Sequence, residues 1–209
     1  MSILNAFVRD DVALVGVDTE GALANGRYVE SCKVVILPHI NAMVGFRGSA
    51  LMLQLVASSL MAFLGNFDEL AETMPTVIRD ALPVAIDHAE RLGLTRDEVD
   101  KCNFVIVGYS PREQRMSGHF YDKQASSPEV SHGVDFPYAI MPSWGDKEDL
   151  ENIAAIDFDR EGMVALARYQ FRRVREHEPA GLPAGGRFFI TELRKDSIST
   201  SPAFQFPPR

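Results

Sequence analysis

Residues 11 to 48 constrain the fold of this chain more than any other stretch. Three short runs stand there: Asp11-Val-Ala-Leu-Val-Gly-Val-Asp-Thr-Glu-Gly21, Ser31-Cys-Lys-Val-Val-Ile-Leu-Pro38 and Asn41-Ala-Met-Val-Gly-Phe-Arg-Gly48. Each is rich in β-branched residues and closes on Gly, Pro, Asp or Asn, so the stretch reads as three strands joined by turns. A strand is also expected to begin within about three residues of Ser2, on the placement of Asp18 and Lys33 after it. Asp18 then ends one strand and Lys33 opens the next. This reading sets a hydroxyl, an acid and an amine on adjacent strands of a single sheet.

Downstream, Ser49 to Leu64 spaces Leu51, Leu55, Leu60 and Phe63 among Ala and Ser before Gly65, a helix buried on most of its circumference. Thr73 to Arg91 reads as a second helix, kinked at Pro83 and ended by Gly93. Thr95-Arg96-Asp97-Glu98 matches a capping box for one further turn. Strands are expected over Asn103 to Ser110, Arg115 to Lys123 and Val134 to Met141. Asp146 to Ala155 is a short helix, and Asp159 caps a longer one carrying Met163, Leu166, Ala167, Gln170, Phe171 and Val174 at helical spacing. A loop from Pro179 to Gly186 precedes closing strands over Arg187 to Leu193 and Ile198 to Phe206. Strands, two helices, strands, two helices, strands is the order of two packed sheets with helices on their outer faces, within one domain spanning residues 1–209. In a doubly wound fold, strands and helices would alternate singly.

The net charge of −8 leaves no phosphate-neutralising surface, which argues against nucleic-acid and anionic-membrane partners. The Arg-rich run from Arg168 to Arg175 reads as a helix end complementing its dipole. Cys32 and Cys102 form no metal or redox motif and read as reduced thiols of a cytoplasmic protein. No secretory signal is visible from Ser2 to Asp11, and Leu51 to Leu64 is too short to span a bilayer. His39, His88, His119, His132 and His177 share no metal-ligand spacing, and no phosphate-cradling loop is present, so neither a metal nor a cofactor is expected. Gly108-Tyr109-Ser110-Pro111-Arg112 begins like a nucleophile elbow, but it lacks the closing Gly, and Pro111 has no N–H to offer an oxyanion. Glu151, Asp157, Asp159 and Glu161 read as helix-start and surface acids rather than a paired acid/base site.

The order Ser2, Val17-Asp18-Thr19, Ser31-Cys32-Lys33, Gly45-Phe46-Arg47-Gly48 resembles the proteasome β-subunit family of N-terminal nucleophile hydrolases, including the bacterial ATP-dependent protease of that type. The resemblance implies a four-layer α/β/β/α sandwich of two antiparallel sheets, and a peptide as substrate. The absence of a helix before the first strand matches the β-type subunits. In this picture removal of Met1 gives Ser2 a free α-amine, with a reference pKa of about 7.7–8.0, able to act as the base for its own hydroxyl. Lys33 lowers that pKa by repulsion, Asp18 fixes Lys33, and the Gly48 N–H meets the oxyanion.

Read on spacing alone, Asp18–Lys33 is more simply an ordinary partly buried ion pair, and Ser2 just the second residue of a cytosolic protein. Moreover, the family's Asp-x-x-Ser-Gly corresponds here to Gly181-Leu182-Pro183-Ala184-Gly185, which lacks both polar groups, and a further family Ser matches Ser143 in a different setting. The residues therefore leave three functions open: an amide hydrolase using Ser2, a silent structural subunit, and a peptide- or small-ligand-binding protein. Self-association into a ring or dimer is expected from the resemblance and from the apolar helix after Gly48.

Overall fold

The computed structural model describes residues 2–22, 28–124, 127, 129–134, 136–177 and 184–207. Strands β1 (Leu4–Val8), β2 (Val12–Asp18), β3 (Glu20–Ala22), β4 (Tyr28–Glu30), β5 (Val34–Leu37) and β6 (Ala42–Arg47) precede helices α1 (Ala50–Met61), α2 (Phe67–Arg91) and the short α3 (Arg96–Asp100). Then follow β7 (Cys102–Ser110), β8 (Arg115–Lys123), β9 (Ser131–Val134), β10 (Tyr138–Met141), α4 (Lys147–Ala154), α5 (Arg160–His177), β11 (Arg187–Arg194) and β12 (Ser197–Gln205). One five-stranded sheet has the order β10-β1-β2-β11-β12 and the other β5-β6-β7-β8-β9, with β3-β4 a separate ribbon. Every pairing is antiparallel.

The period of two along each strand sorts its side chains into two cores. Leu4, Ala6, Ala13, Val15 and Val17 of the first sheet meet Met43, Val105 and Val107 of the second. The alternate residues face outward under helices. Phe7, Leu14 and Ile190 pack against Met163 and Leu166 of α5, and Val44, Phe46, Phe104 and Ile106 against α1 and α2. With both faces buried, the strands read as continuous apolar runs rather than as an alternation. The result is a four-layer α/β/β/α sandwich, as expected. Its layers touch closely at glycines: a Cβ on Gly45 would lie 2.7 Å from Leu4 and 2.9 Å from Val15 of the facing sheet, and one on Gly108 would lie 2.2 Å from Phe67 of α2. Among the described residues, no helix is long and apolar enough to cross a membrane.

Three expectations are corrected. The strand read over Val134 to Met141 is two strands in different sheets, β9 and β10. Between them Pro137 has no N–H for a ladder, and its carbonyl accepts from Val8 N at 2.8 Å. The second helix begins six residues early, at Phe67 rather than Thr73, because Asn66 and Glu69 form a reciprocal capping box: Glu69 N donates to Asn66 Oδ1 at 3.1 Å, and Asn66 N to Glu69 Oε2 at 2.9 Å. It then runs as one element through Pro75 and Pro83. Finally, the Arg-rich end of α5 does more than complement a dipole. Arg173 is buried, pairs with Asp146 and Glu148 at the start of α4, and lies over the Trp144 ring.

Candidate functional site

Asp18 and Lys33 do not share a sheet. Asp18 ends β2 in the first sheet, whereas Lys33 immediately precedes β5 at the edge of the second, and the two meet across the opening of the sandwich. The sequence misleads here because a strand followed by a turn and another strand is the usual hairpin signal. Instead, the β3-β4 ribbon intervenes and carries the chain from one sheet to the other.

Asp18 is fully buried, and its carboxylate is held from three directions. Ile3 N donates to Oδ1 at 2.8 Å, Lys33 Nζ to the same oxygen at 2.8 Å, and Gly185 N to Oδ2 at 3.2 Å. Lys33, also buried, spends its three donors on Asp18, on the Glu20 carbonyl at 2.6 Å and on Ser2 Oγ at 3.0 Å. Burial pushes the Asp18 carboxyl up from its ordinary value, against the pull of Lys33 and of the two backbone donors. Burial likewise pulls the Lys33 amine down, against the attraction of Asp18 and of Glu20, with Arg47 adding to the downward shift.

Backbone pairings fix these side chains. Asp18 N donates to Ile3 O at 3.3 Å, continuing the β1–β2 ladder to the residue beside Ser2. Phe46 N donates to Lys33 O at 2.9 Å, extending the β5–β6 ladder by one step. Thr19 N and Arg187 O meet at 2.9 Å, and Arg187 N donates to Thr19 Oγ1 at 2.9 Å, so β11 clamps the turn after Asp18.

Ser2 is half-buried, with Lys33 within hydrogen-bond reach. Gly48 follows β6 with a φ of 144°, in the region that favours glycine; a Cβ there would lie 2.9 Å from both Cys102 Cβ and Phe46. Ser143 is committed elsewhere: its hydroxyl donates to the buried Asp149 at 2.6 Å, alongside Trp144 N at 2.8 Å and Gly145 N at 3.1 Å. Gly181 to Pro183 lie outside the described residues, as does Met1. Ala184 is buried and apolar where the family motif carries a hydroxyl. Sequence reasoning missed the Glu20 carbonyl and the Gly185 N–H, since backbone groups leave no residue-type signature. Ser110 donates to Asp68 at 2.6 Å beside α2, a structural contact. Among the described residues, no group of three or more His, Cys, Asp or Glu side chains is arranged to hold a metal ion.

No family model matches the chain, and no curated protein does. Solved structures match at the level of the fold. The Gly-1 mutant of Anbu from Hyphomicrobium sp. strain MC1 aligns with a TM-score of 0.63 over 98% of this chain and 87% of that one, at 12% identity. Anbu (ancestral beta-subunit) from Yersinia bercovieri aligns with a TM-score of 0.62 over 97% and 87%, at 14% identity. The expected place in the proteasome β-subunit family, with its bacterial ATP-dependent protease, is thereby corrected: no family model or curated relative carries the chain there, and the two Anbu structures match at 12% and 14% identity. The likeness carries a proteasome-related fold and nothing finer.

Proposed function

We propose that the chain hydrolyses amide bonds with Ser2 as nucleophile once Met1 has been removed. The observation that carries this reading is the Lys33 ammonium placed 3.0 Å from Ser2 Oγ and 2.8 Å from Asp18. Three acceptors take all three Lys33 hydrogens, so Lys33 is not the acceptor of the Ser2 proton. The freed α-amine of Ser2 takes it instead, and the positive charge on Lys33 keeps that amine largely unprotonated. Ser2 Oγ then adds to the amide carbonyl, with the Gly48 N–H meeting the oxyanion. The protonated amine returns its proton to the leaving nitrogen as the C–N bond breaks, and water hydrolyses the resulting ester. A peptide is the substrate class this chemistry fits. With Ala184 supplying no hydroxyl to hold the amine, turnover is slow.

The same alanine favours a second reading, a silent structural protein of proteasome-related fold. Hydrolysis of a panel of fluorogenic peptide amides separates the two. The hydrolase reading expects Ser2→Ala, which lacks the nucleophile, to lose activity altogether and Lys33→Ala, which leaves the Ser2 amine largely protonated, to lose the ~10²–10⁴-fold that general-base catalysis is typically worth, with Ser2→Thr retaining it. Undiminished hydrolysis in Ser2→Ala would assign the activity to another residue.

A further inference from the structure

The second sheet brings together two histidines that lie far apart in any ligand motif. His119 on β8 and His132 on β9 are diagonal neighbours on one face, because His119 pairs with Val134 and Tyr121 with His132. His119 Nδ1 and His132 Nε2 stand 3.1 Å apart. We propose that this pair is a two-imidazole site for a borderline transition-metal ion of the Zn²⁺ class, clipping edge strand β9 to β8.

The geometry supports the assignment. Two imidazole nitrogens on one tetrahedral zinc, each at about 2.0–2.1 Å, stand about 3.3 Å from one another. The present separation needs an adjustment of about 0.2 Å to reach that value. The rings are already oriented. His132 stacks on Tyr121 with centroids 4.5 Å apart at an interplanar angle of 12°, and the Tyr121 hydroxyl is anchored to the Ala71 carbonyl at 2.7 Å. His119 packs against Phe67 with ring centroids 5.6 Å apart, and the two imidazole planes lie 29° from parallel. Such pre-orientation removes part of the ordering cost of binding. His132 is exposed, so the remaining coordination positions open to water.

The contact itself requires a lone pair on one of the facing nitrogens, which is the form that ligates. Coordination by both nitrogens needs only that one ring move its N–H to its far nitrogen, with no net loss of protons. The site is independent of Ser2: Lys33 stands at the β5 edge and His132 at the β9 edge, four strand spacings or about 19 Å away.

Zinc titration of the untagged full-length protein by calorimetry tests the proposal. The expected result is one Zn²⁺ per chain, with affinity reduced at least tenfold in His132→Gln and in His119→Gln and unchanged in His88→Gln, an exposed residue of α2. Because His132 is exposed, its variant keeps the fold even if the His119 variant does not. No Zn²⁺ binding by the wild-type chain, or equal affinity in His132→Gln, would overturn the assignment.

Discussion

A buried charge such as that of Asp18 is tolerated only where partners replace water, and here they are Lys33 and the amides of Ile3 and Gly185. Replacing Asp18 by Ala strands the Lys33 ammonium in a buried site, and the expected loss is about 3–5 kcal/mol in urea unfolding. Lys33→Met keeps the aliphatic stem but strands the buried Asp18 carboxylate on the amides of Ile3 and Gly185 alone, so a loss of similar size is expected, and both changes abolish reactivity at Ser2. Equal stability of the Asp18→Ala and wild-type proteins would contradict the placement of the pair. The two cysteines differ in the same physical terms. Burial pushes the Cys102 thiol up to about 12, whereas Cys32 is exposed. A thiol reagent at neutral pH is therefore expected to modify one cysteine in the native protein and both after denaturation, as read by mass spectrometry. Of the site, the order of Ser2, Asp18 and Lys33 is legible in the sequence because each is a distinctive side chain at a strand end. The Glu20 carbonyl and the Gly185 N–H are not, since only the fold brings those backbone groups in.

At the level of elements, capping and close approach explain where the sequence succeeds and where it falls short. Apolar runs such as Val105 to Val107 announce β7, and the spacing from Met163 to Val174 announces α5. The start of α2 lies in the side-chain chemistry of Asn66 and Glu69, outside the apolar stripe that marks the rest of the helix. Asn66→Ala is expected to lower stability by about 1 kcal/mol, the usual worth of an N-cap, with Asn66→Ser nearly neutral. The division of residues 131 to 141 between two sheets is tertiary information, invisible to a period of two. Gly45 tests the contact between the sheets: Gly45→Val places methyl groups against Leu4 and Val15, and overpacking of this kind costs about 1–3 kcal/mol. A Gly45→Val protein with unchanged thermal stability would mean that the sheets sit farther apart than described.

Taken whole, the molecule stacks helices, two antiparallel sheets and helices so that one end of the sandwich gathers the starts and ends of β1, β2, β5 and β11 around Ser2. The α/β/β/α order is readable from the succession of strands and helices, while the meeting of Asp18 and Lys33 across the two sheets is not, because a hairpin would give the same local pattern. Self-association is the corresponding expectation at this scale, motivated by the exposed Met61 at the end of α1 and the exposed Leu64 just beyond it. Native mass spectrometry at micromolar concentration is expected to find a ring or a dimer; a lone 23.2 kDa species would remove this expectation.

Whether Ser2 becomes an N-terminal nucleophile is read by intact mass spectrometry of the untagged protein, before and after exposure to an electrophile directed at such nucleophiles. The expected result is a chain lacking Met1 that gains one adduct, with no adduct in Ser2→Ala or Lys33→Ala. Met1 retained on every molecule, or an adduct that persists undiminished in Ser2→Ala, would contradict it.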